Sequence, residues 1–491
     1  MGDGKPDRKL PTKSKKMKNY LSVFASLSLV CMFAHVARAV EPVATKLVQS
    51  NGLAQDHFGA AVAIDNDTLI VGSPQDDIGA NTQQGSVRVY RWNGSTWDLE
   101  ATLTALDAAT DDYFGLNVAI SGDTVVIGAN GKMVGSKTAA GSAYVFSRTG
   151  TVWTQQAKLS AADFASFDHF GASVAISQDT VVVGSTNDDV GTKENAGSAY
   201  IFKRTSGVWA QQAKLTASDA AAFKAFGYSV AISGDTAIVG ALAGGAYVFV
   251  RTGESWAQQI KLLASDPGTD DNFGCSVAID GEFAIVGAMS KPIGSNLLQG
   301  AAYAFQRSGT VWNQQTKLVA SDGLEGEQFG TSVAISGQRA IVGAHRGKTN
   351  SILQGSAYLF DRTGGTWAER TKLIASDGAS LDRFGFSVGI SGNTAVVGAY
   401  GDDIQVDPAP IQADQGSAWI FADRAPCPGD LNSDGYVDDS DFVVFVSGYD
   451  TLDCADPAMP ANCPADLNFD GFVDDADFVI FVGAYNALVC P

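Results

Sequence analysis

Residues 226–241 read FGYSVAISGDTAIVGA, and this stretch recurs with variation seven times along the chain. Each copy is followed by a segment similar to Gly-Ser-Ala-Tyr-Val-Phe. Successive copies are 56, 56, 56, 47, 56 and 55 residues apart. A regular period of this size predicts a repeat architecture, in which neighbouring units bury one continuous core. The copies begin at Phe58, Phe114, Phe170, Phe226, Phe273, Phe329 and Phe384.

Each copy has the pattern of four short strands. In copy four the predicted strands are residues 229–232, 236–239, 245–250 and 256–262, with a tight turn at Ser233-Gly234-Asp235. These segments are rich in residues that favour strands, and the unit shows no helical period of 3.6. Four strands in about 55 residues are typical of a propeller blade. The fold class predicted is therefore mainly β, a seven-bladed β-propeller.

The two ends of the repeat region predict that the ring is closed. A Lys-Leu or Thr-Leu pair marks each fourth strand, and the first such pair, Lys46-Leu47, precedes copy one. Copy seven ends after its third strand, residues 418–421, and has no fourth strand. We expect the N-terminal strand to complete the last blade, because that pairing removes two open sheet edges. An open solenoid is the alternative.

The Phe-Gly opening with a later Gly-Ser-Ala box resembles the FG-GAP repeat of integrin α-subunit propellers, over about residues 43–422. The resemblance implies a propeller that binds proteins or glycans on one face, in adhesion or as an accessory to an enzyme. Calcium loops found in related propellers are not expected here. Turns such as Asp65-Asn66-Asp67 are too short to surround Ca²⁺, which needs six to eight oxygen ligands.

The N-terminus has the layout of a secretory signal peptide. A basic region is followed by 14 apolar residues, 21–34, and by Ala37-Arg38-Ala39. This run is shorter than the roughly 20 residues of a membrane span. We expect a signal peptide over 1–39, a secreted or cell-surface protein, and no membrane span after cleavage. Losing residues 1–39 would change the net charge from −20 to about −26, which disfavours nucleic acid as a partner.

Acidic residues recur in the loops that should share one face of the ring. Two residues before each Phe-Gly pair stands an acid in six copies, and Lys224 in copy four. Such an acid can cap backbone amides, or it can bind a ligand or cation. The loops between strands two and three carry the pairs predicted as ligand-binding residues. The pairs are Asp76 and Asp77, Asp188 and Asp189, and Asp402 and Asp403.

The sequence contains no recognisable catalytic constellation. His57 and His169 share a repeat position with unrelated residues, which predicts a surface position. Cys275 aligns with Ala60, Leu116, Tyr228 and Phe386 of other copies, which predicts a buried thiol. The outer-strand tryptophans are predicted to serve packing. Copy four lacks nine residues between strands two and three, a notch that could admit a partner or be neutral drift.

Residues 425–491 form a second repeat, of period 36, with thirteen Asp and no Lys, Arg, His or Glu. Both copies match the 12-residue EF-hand loop, in which positions 1, 3, 5, 9 and 12 supply side-chain oxygens and position 7 a carbonyl. The last ligand is Asp where Glu is usual. We predict two bound Ca²⁺ ions. The predicted ligands are Asp430, Asn432, Asp434, Tyr436, Asp438 and Asp441, and Asp466, Asn468, Asp470, Phe472, Asp474 and Asp477.

An apolar stripe follows each loop with helical spacing, from Phe442 to Tyr449 and from Phe478 to Tyr485. Paired loops with following helices resemble type I dockerins. The resemblance implies a cohesin-like or cell-surface anchoring partner. Four cysteines flank the loops and predict two disulfides in an exported protein, with all three pairings open. They are Cys427, Cys454, Cys463 and Cys490.

Together these features predict three parts: a signal peptide over 1–39, a propeller over 40–424 and a dockerin-like calcium module over 425–491. The function expected is that of a non-enzymatic extracellular binding or adhesion protein with an acidic ligand face. One alternative is an extracellular carbohydrate-active enzyme or accessory subunit with its site on that face. A second is a structural surface-layer component.

Overall fold

The computed structural model describes residues 42–405, 411–422, 442–446, 473, 478 and 481. Within them, 28 β-strands form seven four-stranded antiparallel sheets, each of which is one blade of a propeller. The predicted strands of copy four are confirmed as Phe226–Ser233, Thr236–Ala241, Gly245–Thr252 and Ser255–Leu262.

The blades are numbered by their Phe-Gly copies. Blade 1 has β2 (Ala61–Asp65), β3 (Thr68–Ser73), β4 (Ser86–Trp92) and β5 (Trp97–Leu103). Blade 2 has β6 (Asn117–Ser121), β7 (Thr124–Ala129), β8 (Ser142–Thr149) and β9 (Val152–Leu159). Blade 3 has β10 (Phe170–Ser177), β11 (Thr180–Ser185), β12 (Ser198–Thr205) and β13 (Val208–Leu215). Blade 4 has β14 (Phe226–Ser233), β15 (Thr236–Ala241), β16 (Gly245–Thr252) and β17 (Ser255–Leu262).

Blade 5 has β18 (Phe273–Asp280), β19 (Phe283–Ala288), β20 (Ala301–Ser308) and β21 (Val311–Leu318). Blade 6 has β22 (Ser332–Ser336), β23 (Arg339–Ala344), β24 (Ser356–Thr363) and β25 (Thr366–Leu373). Blade 7 has β26 (Ser387–Ser391), β27 (Thr394–Ala399), β28 (Ser417–Ala422) and the N-terminal β1 (Val43–Leu47).

The predicted ring closure is confirmed. Strand β1 pairs antiparallel with β28, in a register that runs from Val43 opposite Ala422 to Leu47 opposite Ala418. The N-terminal strand therefore supplies the outer strand of the last blade. This pairing covers the edge that β28 would otherwise expose, so the ends of the repeat region are held together by backbone hydrogen bonds.

The Phe-Gly motif joins each blade to its neighbour. In blade 3 the fully buried ring of Phe170 packs edge-on against Tyr200 and Phe202. Gly171 has a φ of +92°, and a Cβ there would meet the carbonyl oxygen of Ser142 in blade 2. Phenylalanine therefore fills the blade core, while glycine permits the close approach of the preceding blade.

The loops lie on two opposite faces. Because the strands are antiparallel, the loops between strands two and three share a side with the loops that lead to the next blade. We call this side the loop face. The hairpins between strands one and two, and between strands three and four, form the hairpin face. The predicted packing role of the tryptophans is confirmed for Trp209, which packs against the core of blades 2 and 3. Its Nε1 also donates to Gln156 of the preceding blade at 2.7 Å.

Little of the C-terminal repeat falls within the described residues. Residues 442–446 are helical, and Phe445 and Phe481 are buried against each other with ring centroids 4.9 Å apart. The predicted signal peptide, calcium ligands and flanking cysteines lie outside the described residues. No helix in the described ranges is long and apolar enough to cross a membrane.

Candidate functional site

The acids that precede the Phe-Gly pairs are buried caps. Asp112 accepts a hydrogen bond from the backbone amide of Ala109 at 2.7 Å, and Asp382 accepts one from Ala379 at 2.6 Å. The same bond from the residue three positions earlier recurs in all six acidic copies, which confirms the capping interpretation. The six acids are Asp56, Asp112, Asp168, Asp271, Glu327 and Asp382.

The first Asp of each predicted ligand-binding pair is also buried. Asp188 lies 2.7 Å from Lys214, Asp402 lies 2.7 Å from Lys46, and Asp76 lies 3.6 Å from Arg88. Each also accepts a hydroxyl hydrogen bond from the first residue of the third strand. These serines are Ser86, Ser198 and Ser417.

The second Asp of each pair is exposed and bonds the backbone of its own loop. Asp77 accepts from the amide of Gln83 at 2.7 Å, and Asp189 accepts from Asn195 at 2.8 Å. Asp403 accepts from the amide of Asp414 at 2.9 Å. These carboxylates shape the loops, and the ligand site proposed below consists of other residues.

Two buried lysines were not singled out by the sequence reasoning. Lys132 and Lys291 occupy the loop position that holds Asp76 in blade 1. Lys132 lies 2.8 Å from Asp112, and Lys291 lies 2.9 Å from Asp271. An alignment of the seven loops, counted from the end of the second strand, shows that lysine stands in blades 2 and 5 where aspartate stands in blade 1.

Burial changes the pKa of several ionisable groups in the propeller. It raises the pKa of Asp56 to about 7, and the nearby charge of Asp76 adds to the shift. Asp382 has a pKa of about 7 for the same reason, with Asp402 as the nearby charge. Cys275 is buried, which confirms the prediction of a buried thiol, and burial raises its pKa to about 11.

The two repeat histidines lie in the loops directly before their Phe-Gly pairs, and the prediction of a surface position is only partly correct. His57 and His169 are half-buried in left-handed backbone, and burial lowers the pKa of both. His57 packs edge-on against Tyr400, with ring centroids 5.1 Å apart. Sequence patterns do not reveal this burial, because the position tolerates Ala, Asn and Arg in other blades.

The junction between blades 4 and 5 differs from the other six. At each of those six junctions the amide of the Phe donates to a carbonyl of the preceding blade's loop, as Phe114 does to Gln84 at 3.0 Å. Within residues 42–405, no such bond joins Phe273 to the shortened loop of blade 4. A cavity of about 330 Å³ opens there, and Phe273 is half-buried while the other six are fully buried.

The seven repeats of the architecture match a known family of repeats. The sequence matches the FG-GAP repeat family over residues 43–90, 97–146, 153–202, 209–249, 256–305, 312–360 and 367–421. The chain belongs to the FG-GAP repeat family. No curated protein matches the chain at a significant level. One similar solved structure is the computationally designed Ika8 protein, with 14% identity and a TM-score of 0.45, over 77% of this chain and 99% of that chain.

The loop face of this FG-GAP propeller exposes large apolar side chains. Phe167, Phe223 and Leu381 stand three residues before their Phe-Gly pairs and are 59%, 64% and 50% exposed. Their φ angles are +68°, +61° and +80°, in a region that bulky residues rarely adopt.

Within the described residues, no three His, Cys, Asp or Glu side chains are grouped so that they could hold a metal ion.

Proposed function

We propose that this FG-GAP propeller is a non-enzymatic, secreted or cell-surface binding protein that recognises a protein or glycan ligand on its loop face. The observation that carries the proposal is the set of exposed apolar side chains on that face. Apolar side chains that water surrounds in the free protein contribute to affinity when a ligand covers them. We name Phe167, Phe223 and Leu381 as the binding residues.

A comparison among blades supports a role outside folding for these three residues. The corresponding position in blade 6 is Gly326, also with a positive φ, so the loop forms without any side chain there. Glycine adopts this backbone region freely, whereas a bulky residue is strained in it. A strained and exposed phenylalanine is unfavourable for the isolated protein, and a binding partner would account for its presence.

The test compares matched substitutions on the two faces. The loop-face variant combines Phe167→Ser, Phe223→Ser and Leu381→Ser. The control combines Val152→Ser, Val208→Ser and Val311→Ser, at hairpin-face positions that are 65%, 68% and 54% exposed. Mature wild-type protein is applied to printed arrays of polysaccharides and extracellular-matrix proteins.

We expect at least one probe to bind the wild type. The loop-face variant should bind that probe at least tenfold more weakly, and the control should bind it unchanged. Equal losses in both variants, or binding that neither variant alters, would refute a ligand site on the loop face.

We further propose that the C-terminal repeat is a dockerin-like module that binds two Ca²⁺ ions and anchors the propeller to a cohesin-like or cell-surface partner. Its two loop sequences, beginning at Asp430 and Asp466, support this proposal. The reciprocal packing of the two halves is a second support, since Phe442 contacts Phe481 and Phe445 contacts Phe478. Metal binding would offset the mutual repulsion of the clustered carboxylates, so folding should depend on calcium.

Native mass spectrometry of the mature protein tests the calcium proposal. Two ions are expected on the wild type, and none on the double variant Asp430→Ala with Asp466→Ala. More than two ions, with some kept by the double variant, would place calcium on the propeller and contradict the assignment.

A further inference from the structure

The open junction between blades 4 and 5 combines an apolar wall with polar side chains, among them Asp271 and Lys224; the others in the lining are Thr269, the exposed Asp270 and Asn272. Nine fewer residues lie between β15 and β16 than between β11 and β12 of blade 3. The cavity left is lined by Leu242, Leu263, Pro267 and the half-buried ring of Phe273. Its volume, about 330 Å³, falls at the lower end of the range of small-molecule sites, which are mostly apolar with a few polar groups.

One of the polar groups is a buried carboxylate oxygen with an unused acceptor. Asp271 lines the cavity and is 5% exposed. Its Oδ2 accepts hydrogen bonds from the amide of Gly268 at 2.6 Å and from Lys291 at 2.9 Å. Its Oδ1 is buried and has no hydrogen-bond partner. An unsatisfied buried acceptor is costly, so a turn of the carboxylate that brings Oδ1 to the cavity would let it accept an O–H or N–H from a ligand.

A second polar group is Lys224, which also lines the cavity. It stands at the repeat position that is acidic in the other six copies. The acids there cap a backbone amide, which an ammonium group, being a donor only, cannot do. This junction therefore presents a positive charge at the one place where the loop is short, and that charge would attract an anionic group of the ligand.

We propose that this cavity binds a hexuronic acid unit of a glycan. The sugar carboxylate would pair with Lys224, a ring hydroxyl would donate to Asp271 Oδ1, and the apolar face of the ring would lie against Phe273. One sugar unit fits within the volume of the cavity. The inference deepens the proposed function, since it gives a ligand class to one place on the loop face, and it rests on that proposal.

The test uses mature protein, free galacturonate and a short galacturonate oligosaccharide, with galactose as the uncharged analogue. Binding is measured by saturation-transfer NMR and isothermal titration calorimetry. The variant is Lys224→Asp, which restores an acid like those of the other copies. The control is Lys193→Asp, which makes the same charge change at an exposed lysine in a neighbouring loop-face loop. Thermal melting of both variants shows whether each is folded.

We expect both galacturonate probes to bind the wild type and galactose to bind at least tenfold more weakly. Lys224→Asp should weaken galacturonate binding at least tenfold, and Lys193→Asp less than twofold. If the cavity binds the end of a glycan chain, the oligosaccharide should bind more tightly than free galacturonate. If the cavity binds the free acid, the two probes should have equal affinity.

Three results would overturn the inference. They are no binding of either galacturonate probe, equal binding of galactose, and equal loss in the two lysine variants. Its failure is distinguishable from failure of the proposed function. If an array probe still binds the wild type and is lost from the loop-face serine variant, the loop face remains a ligand site without this cavity.

Discussion

Blades 2 and 5 have nearly the same local chemistry and differ in how the preceding blade covers them. In both, a buried aspartate caps an amide and pairs with a buried lysine, Asp112 with Lys132 and Asp271 with Lys291. The loop of blade 1 covers Phe114 completely, whereas the shorter loop of blade 4 leaves Phe273 half-buried.

The comparison shows which interactions a blade needs for folding and which can vary between blades. The cap and the ion pair are kept with or without a long covering loop, so they belong to the blade itself. The loop that covers the phenylalanine comes from the preceding blade. This loop can be shorter without loss of the strands of the blade that it covers. Variation in covering loops is therefore a way to open a site on a closed ring without altering its core.

The largest expected effect comes from truncating the two phenylalanines. Phe114→Ala removes a fully buried ring and should lower the free energy of unfolding by about 3–5 kcal/mol. Phe273→Ala should cost about half as much, because water already reaches part of its ring. Chemical denaturation of both variants measures the difference. Equal losses would mean that the shorter loop leaves blade 5 as well covered as blade 2.

The buried lysines give the next comparison. Lys132→Met leaves Asp112 buried without its charged partner and should cost about 3 kcal/mol of unfolding free energy. Lys291→Met should cost about as much, because Asp271 is as deeply buried as Asp112. Denaturation at neutral pH provides the measurement. A much smaller loss for Lys291→Met would mean that water reaches Asp271 through the junction and that the carboxylate is not buried as described.

A loop graft converts the open junction into a closed one. Replacing residues 242–244 with residues 186–197 of blade 3 supplies the missing cover. We expect galacturonate binding to be abolished, while the free energy of unfolding changes by only about 1 kcal/mol, because added burial and added loop entropy largely cancel. Calorimetry and thermal melting follow the two effects. A folded graft that binds galacturonate as tightly as the wild type would rule out this cavity as the site.

The smallest effect concerns pH and contrasts blade 2, where Asp112 pairs with Lys132, with blade 7, where the charge of Asp402 lies near Asp382. Asp382 has a pKa of about 7 in the folded protein, well above its ordinary value, so the folded state binds this proton more tightly than the unfolded state. The stability it contributes is full below pH 4 and is lost as the pH rises through 7. Asp382→Asn should therefore reduce the fall in Tm between pH 6 and pH 8 by a few degrees.

The matched control for this measurement is Asp112→Asn, which removes the partner of Lys132. It should lower Tm at both pH values, because its main effect is loss of an ion pair. An Asp382→Asn variant whose Tm falls as steeply with pH as the wild type would show that this carboxyl does not carry the pH dependence.

The fold was predictable from the sequence because each position of the repeat occurs seven times and can be compared among the copies. The Phe-Gly pairs, the hairpin turns and the missing fourth strand of copy seven together predicted both the blades and the ring closure. The loop-face aspartates were harder to interpret. An acid that pairs with a lysine of its own blade and an acid that binds a ligand look alike in sequence, and only the short distances from Asp402 to Lys46 and from Asp188 to Lys214 reveal the pairing.

The notch in copy four was visible as a deletion, but its consequences were not. Which side chain the missing loop would have covered depends on packing between blades, so the partial exposure of Phe273 could not be read from its own repeat. The unpartnered oxygen of Asp271 likewise depends on atomic positions that no spacing rule describes.

Hydrogen-exchange mass spectrometry of the mature protein, with and without saturating galacturonate oligosaccharide, tests the central claim that blades 4 and 5 form an open binding junction. Without ligand, the Phe273 amide should exchange faster than the Phe114 amide, which donates to Gln84. Adding ligand should slow exchange in residues 242–245 and 263–273 and leave residues 104–114 unchanged. Equal exchange of the two amides, or ligand protection confined to other parts of the ring, would contradict the account.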